Sequence, residues 1–347
     1  KYTSEVYVTS ALLWEIANER ATAFSEEYRR RFGQTPPAAA ALAYDSMLLI
    51  AQGLKALDDP QKGRVPTREG LRDYLAHLTW QEAVDGASGS LFFSSSGDLT
   101  QGYVDKFLAE RTGEPPAPAA APQERAPVKT AEGRAVQRDV FVSVIKDGRY
   151  KTAYTQLVVP KEEYVLKELK ERVQKGYMMV VDHLPYHLVD VVFVGVDIFK
   201  INDVNTKDMN WDADMFMWFK WNGDRLEPRD IDKIGVINSV KEQSSLLKED
   251  LSRPTKYRAF RKRFTLSTSY DLAKFPFDYQ SLTMSVAHAS KNSTHLMLVM
   301  DAKHMDDTPI DKINPQEWTF LGRKFYSNLY QYTSTFGDPD YRLGKGY

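Results

Sequence analysis

The spacing of apolar residues changes from a helical to a strand period near residue 177, and this change constrains the fold more than any other feature. Before it, apolar residues recur four positions apart, as at Phe24, Tyr28 and Phe32. After it, two populated faces alternate at every second position, as in the run from Val192 to Phe199. The first period indicates amphipathic helices and the second indicates strands. We therefore expect an α/β region followed by an all-β region.

Composition agrees with two folded domains and excludes several functions. The chain has 347 residues, of which 42% are hydrophobic and 27% charged, as in ordinary globular proteins. Its 46 basic and 47 acidic residues give a net charge of −1, so no nucleic-acid partner is expected. The absence of cysteine excludes disulfides and thiolate metal sites. No apolar run approaches the roughly 18–20 residues that cross a bilayer.

The α/β region is predicted to contain three helices, a flexible insertion and a hairpin, and a fourth helix is predicted to follow it as a connector. Gly33 is expected to end the first helix and Thr67 to cap the third. The Pro- and Ala-rich insertion covers about residues 111–136, and Asp147-Gly148 is a hairpin turn. The predicted elements are a strand at 6–9, helices ending at 33 and spanning 38–57 and 68–78, a strand between turns in 86–102, a hairpin at 139–154 and a helix at 161–175.

The all-β region is predicted to form an antiparallel, immunoglobulin-like sandwich, because many strands follow one another with little helix. The strand candidates are 192–199, 215–221, 257–267, 282–288, 295–300 and 318–332.

Residues 1–157 resemble the C-terminal half of type I periplasmic binding proteins of the branched-chain amino-acid kind. The resemblance rests on YRRRFGQTPP, then ALAYDSMLLIAQGLKAL, then the glycine-rich stretch from Gly86 to Asp98, and finally VFVSVIKDGRY. It implies an α/β domain that senses an amino-acid-like solute, with Tyr44 and Asp45 as its candidate residues. A packed tyrosine and a capping acid are the alternative reading of that pair.

Residues 177–347 resemble the extracellular domain of Cys-loop receptors in its cysteine-free bacterial form. The matching pieces, in order, are MFMWFKWNGDRL, FPFD, EWTFLG and FGDPDYRLGKGY. Thr268 and Leu282 occupy the positions where animal receptors carry the cysteines. The resemblance implies a chain that stops before the last strand and the pore helices, with residues 158–176 as a linker helix between the two domains.

The resemblance also implies which residues couple ligand binding to pore gating and which residues contact the ligand. The gating-coupling residues would be Asp203, Asp208, Phe275, Pro276, Phe277 and Asp278. The ligand-binding residues would be Phe216, Trp218, His288, Ser290, Asn292, Tyr341 and Tyr347. Aromatic rings there could hold a cation. The alternative for Phe216 and Trp218 is one face of a packed strand.

The two resemblances together imply a receptor, and the motifs argue against an enzyme. The sequence holds no G-x-S-x-G, P-loop or H-E-x-x-H motif. No cofactor is expected. A metal site is not expected either, because Pro185 would interrupt a helix that carried His183 and His187 on one face, and no third ligand is evident. The expected protein is the extracytoplasmic ligand-sensing region of a bacterial pentameric ligand-gated ion channel on the outer face of the inner membrane. Its partners would be an amino-acid-like or cationic small molecule, four further copies and a membrane-spanning pore. The alternative is a soluble periplasmic solute-binding or adhesion protein.

Overall fold

The computed structural model divides into two compact units, Lys1–Val189 and Asp190–Tyr347. It describes residues 6–10, 12–58, 65–76, 78, 84–93, 136–137, 141–146, 149–158, 166–181, 184–273, 279–301 and 318–328. The predicted domain limits at 157 and 176 remain predictions.

The first unit contains helices and two small sheets. Its elements are β1 (Tyr7–Ser10), a 3₁₀ turn (Trp14–Ile16), α1 (Glu19–Phe32), α2 (Ala38–Leu57), α3 (Arg68–Ala76), β2 (Val84–Gly86), β3 (Gly89–Phe93), β4 (Val136–Gln137), β5 (Phe141–Lys146), β6 (Arg149–Thr152), β7 (Thr155–Val158), α4 (Leu166–Gln174), β8 (Met178–Val181) and the start of β9 (Leu184–Asn205). One sheet has the order β1-β5-β6 and the other β2-β3-β4.

Local signals place the helix ends where the sequence predicts them. Gly33 is left-handed, with φ of 70°, a conformation that residues with a Cβ rarely adopt, and it ends α1. The Thr67 hydroxyl accepts a hydrogen bond from the Gly70 amide at 3.0 Å, as an N-cap does. The β5–β6 hairpin also forms. Most of the insertion predicted at 111–136 lies outside the described residues.

The second unit is rich in strands. It continues β9 and adds β10 (Asn210–Asn222), α5 (Pro228–Ile231), β11 (Ile234–Val236), β12 (Ser239–Asp250), β13 (Thr255–Ser267), β14 (Val286–His288) and β15 (Leu296–Met300). The strand order is β12-β13-β10-β9-β15 in the large sheet and β11-β14 in the small one. One face of the large sheet, including Trp211, Phe219, Trp221 and Phe264, packs with β11, β14 and the segment around Phe320 into one core.

Three predictions for this unit need correction. The large sheet is mixed rather than antiparallel, because β15 runs parallel to β9. The strand predicted at 318–332 is irregular over 318–328, and the one predicted at 282–288 begins only at Val286. Alternating apolar residues favour extended backbone, but a ladder also needs a neighbouring strand with free hydrogen-bonding groups.

Two strands of this unit, β11 and β12, were not predicted at all. β12 has twelve residues, and every one from Val240 to Glu249 is exposed. It is an edge strand whose only partner in the sheet order is β13. Because neither of its faces is buried, its sequence carries no alternation of apolar and polar residues to reveal it.

Candidate functional site

The outward face of the large sheet in the second unit carries the predicted aromatic residues. Along β10, Met215, Met217, Phe219 and Trp221 are buried, with 0–1% of their surface exposed. The alternate residues Phe216, Trp218 and Lys220 are only half-buried. Strand geometry turns successive side chains to opposite faces. The strand thus supplies the core with one set of residues and presents the other set outward.

Trp218 is held by specific contacts on this outward face. Its indole covers Gly195 on β9, where a side chain would overlap the ring. The indole N–H donates to Asp301 Oδ2 at 2.7 Å. The ammonium of Lys220, two residues along the same strand, donates to the same oxygen at 2.5 Å. Asp301 therefore fixes an aromatic ring and a cation side by side.

Phe216 belongs to a second aromatic group on the same face. Its ring lies 4.8 Å from that of Phe199, centroid to centroid. The guanidinium of Arg261 lies 5.5 Å from the centre of the Phe199 ring. The chain's own arginine thus already provides a cation to this aromatic pair.

A cleft opens beside these groups, where β10 meets the end of the β12–β13 hairpin. It is an open depression of the surface rather than an enclosed cavity, and its volume is about 300 Å³, at the small end of the range for ligand pockets. We call it the basic cleft, and its lining residues are Lys220, Lys248, Asp250, Arg253, Thr255 and Tyr257.

Tyr257 stands opposite Lys220 in the β10–β13 register. Burial raises the pKa of its phenol, and the negative charge of Asp301 raises it further. The hydroxyl therefore stays protonated at neutral pH and can donate a hydrogen bond into the cleft.

Sequence reasoning named Phe216 and Trp218 but missed Lys220, Tyr257 and Asp301. Period-2 spacing could have found Lys220, since it shares a face with the two aromatics. Asp301 is 83 positions from Trp218 in sequence, and no local pattern links the two.

The predicted loop residues His288, Ser290 and Asn292 lie in a turn whose hydrogen bonds are made within the turn. Nδ1 of buried His288 accepts hydrogen bonds from the amides of Ser290 and Lys291, at 3.0 and 2.8 Å. Asn292 Oδ1 accepts from the amide and hydroxyl of Thr294. These contacts shape the loop, and its role in ligand binding remains a prediction.

Lowering the pH is expected to destabilise the second unit through His288. Burial lowers the pKa of His288 from its usual 6.5, Lys291 and Lys233 lower it further, and Asp230 acts in the opposite direction. A histidine with a lowered folded pKa adds stability above pH 6.5, and that stability is lost as pH falls through the folded pKa. Denaturant midpoints at about pH 7.5 and about pH 5 measure the loss.

The matched variant is His288→Asn, which keeps a side-chain acceptor but does not titrate in this range. Its midpoint should fall less than that of the parent chain between the two pH values. An equal fall in both proteins would contradict a contribution from His288.

The predicted coupling residues are only partly described. Asp203 is exposed near the end of β9, and Asp208 is exposed in the turn before β10. Asp208 accepts a hydrogen bond from the Asn205 side chain at 3.0 Å. Phe275, Pro276, Phe277 and Asp278 lie outside the described residues, as do Tyr341 and Tyr347.

In the first unit, Asp45 lies at the centre of a polar network. It is 1% exposed and accepts hydrogen bonds from the amides of Ala87 and Ser88, at 2.6 and 2.9 Å, and from the Ser88 hydroxyl at 2.5 Å. A Cβ at Gly86 would lie 2.6 Å from its Oδ1. The Tyr44 ring packs against that of Phe24 at a tilt of 36°, with the centroids 4.9 Å apart. These contacts fit an anchoring role for the pair, and a ligand role stays a prediction.

Neither a metal-binding cluster nor a membrane-spanning helix is found in the part of the chain that the structure describes. No group of three or more histidine, aspartate or glutamate side chains there could hold a metal ion. His183 lies outside that part, and His187 is buried. None of the described helices has the length and apolar character needed to cross a membrane.

Comparison with known proteins bears on the first unit. Residues 1–104 match the family model described as periplasmic binding protein. The N-terminal region is periplasmic-binding-protein-like. This confirms a resemblance to periplasmic binding proteins over those residues. That the matched residues correspond to the C-terminal half of the family, and that the resemblance extends to residue 157, stay predictions. Such a region suggests a ligand-binding role outside the cytoplasm, in a family that is typically non-enzymatic. No curated protein matches the chain.

Proposed function

We propose that this chain is the extracytoplasmic ligand-sensing region of a pentameric ligand-gated ion channel. An agonist binds between subunits against the outward face of β10, and the loop Phe275 to Asp278 transmits its binding to a pore. The observation that carries the proposal is the outward position of Phe216 and Trp218 on a strand whose other face forms the core. The order of the four motifs that resemble the receptor family supports it.

A rigid sheet is a suitable base for such a site. Trp218 and Lys220 lie on the central strand β10, and Asp301, directly after β15, accepts a hydrogen bond from each of them. A ligand that contacts them meets side chains already held in position, which reduces the entropy lost on binding. It opens a pore only as far as its affinity differs between the closed and open states.

The periplasmic-binding-protein-like region supports a location outside the cytoplasm. In this proposal it is an outer module that senses an amino-acid-like solute and modulates the receptor.

A second candidate is a periplasmic solute-binding protein without a pore. The match of residues 1–104 favours it, because that match concerns a solute-binding family alone. Under this alternative the aromatic face would serve another surface role, and the coupling residues would have no pore to act on.

Recordings of ionic current across a membrane separate the two candidates. The gene is expressed at its full natural length in oocytes, and currents are recorded while amino acids, organic acids and amines are applied. We expect ligand-evoked current from a membrane assembly of five copies, as counted by single-molecule photobleaching. Trp218→Ala should shift the concentration for half-maximal current upward by about tenfold or more, because an indole contact and its fixed neighbours are lost. Ser244→Ala, on exposed β12, is the control.

Membrane expression without current, together with saturable solute binding by the purified protein, would favour the periplasmic solute-binding candidate. Absence of any membrane-bound assembly would remove the channel proposal.

A further inference from the structure

The basic cleft has an excess of positive charge. Lys220, Lys248 and Arg253 bring three cations to the cleft and its rim, against the two carboxylates of Asp250 and Asp301. The group as a whole therefore has one net positive charge. A single ligand carboxylate would balance it.

The two carboxylates are already engaged. Asp301 Oδ2 accepts from both Trp218 and Lys220. Asp250 accepts from the amide and hydroxyl of Ser252, and its other oxygen lies 3.1 Å from Arg253 Nε. The hydrogen bonds from Ser252 lower the pKa of Asp250, so it remains ionised. Asp250 therefore has three contacts with groups of the chain itself, and Asp301 has two, both on one oxygen.

Lys248 differs from the other two cations. Lys220 and Arg253 each have a carboxylate partner within ion-pair distance. Lys248 forms no such ion pair with a carboxylate of the described residues, although its charge acts on Asp250 from farther away and helps to lower the pKa of that acid. It is an exposed ammonium at the cleft, with the Thr255 and Tyr257 side chains among the other lining groups. An ammonium and two hydroxyl groups are hydrogen-bond donors of the kind that a carboxylate accepts.

We propose that the basic cleft binds the carboxylate of a small organic acid or amino acid, with Lys248 as its principal contact. This inference rests on the proposed function, since it names the ligand class of the same outward face. Lys220, held by Asp301, adds positive charge, and the protonated Tyr257 hydroxyl donates a hydrogen bond. A simple cationic ligand is disfavoured, because three cations surround the cleft and Arg261 already occupies the Phe199 ring.

Calorimetric titration of the purified 347-residue chain tests the ligand class. The probes are propionate, benzoate, glycine and glutamate, with propionamide as the uncharged counterpart of propionate and propylammonium as a cation. We expect saturable binding of at least one carboxylate and none of propionamide or propylammonium. Failure of every carboxylate, or binding of propylammonium in their place, overturns the proposal.

Two lysine variants test the site. Lys248→Gln should weaken carboxylate binding by about tenfold or more, since a charge-assisted hydrogen bond is lost. Lys241→Gln, an exposed lysine on the same strand, should change it by less than about twofold. Equal affinities in the two variants would place the carboxylate elsewhere and overturn the assignment. If carboxylate binding depends on Lys248 but the protein passes no current, the assignment of the basic cleft as a carboxylate site is kept and the channel proposal is rejected.

Discussion

Replacing Asp45 with alanine is expected to lower the free energy of unfolding of the first unit by about 4 kcal/mol. The carboxylate is buried and accepts three hydrogen bonds, two from backbone amides that are themselves buried. Alanine would leave the Ala87 and Ser88 amides without an acceptor, and each such buried donor costs about 1–3 kcal/mol. Hydrogen exchange of residues 38–57 and 84–93, followed by mass spectrometry, measures the loss within this unit.

Two variants isolate the cause. Asp45→Asn keeps one side-chain acceptor and should lose less stability than Asp45→Ala. Ser46→Ala changes an exposed neighbour on the same helix, whose hydroxyl bonds only to the Leu42 carbonyl, and should be nearly neutral. If Asp45→Ala leaves exchange unchanged, the residue is not an anchor, and a role in ligand binding would become the better explanation.

The sequence predicts best the elements that depend on local chemistry. The bounds of α2 follow from Pro37 before it, the helical spacing within it and Pro60 beyond its end. The end of α1 follows from Gly33, and the hairpin of β5 and β6 follows from alternation around Asp147-Gly148. In each case the deciding residues lie within a few positions of the feature.

Features that depend on distant partners could not be predicted in the same way. The parallel pairing of β15 with β9 joins Leu296 to Asp190, and no local pattern fixes strand direction. β12 escaped detection because it is exposed on both faces.

The candidate site follows the same division. Phe216 and Trp218 were proposed as site residues from a local motif, whereas the residues that contact them were not predicted. The position of the Trp218 ring depends on Gly195, on β9, and on Asp301, directly after β15, and neither is near Trp218 in sequence. The cations Lys248 and Arg253 come from the β12–β13 hairpin, of which only β13 was expected.

Replacing Gly195 with valine is expected to destabilise the second unit by about 2–3 kcal/mol and to release Trp218 from its position. Strand propensity alone would favour valine by up to about 1 kcal/mol, since glycine is a poor strand residue. The overlap of the new side chain with the indole outweighs that gain. The ring must move, and its hydrogen bond to Asp301 is lost. Urea unfolding gives the free energy, and near-ultraviolet circular dichroism reports the change around the indole.

A double-variant cycle shows whether the indole is the cause. With Trp218→Ala in the background, the valine meets no ring, so Gly195→Val should become neutral or stabilising. An equal cost in both backgrounds would mean that the loss comes from the strand backbone rather than from Trp218. The position of Trp218 would then not depend on the glycine beneath it. The indole and Lys220 both donate hydrogen bonds to Asp301. Gly195→Val alone should therefore also loosen Lys220 and weaken carboxylate binding in the basic cleft. The packing of β9 against β10 would in this way influence ligand binding on the outward face of the sheet.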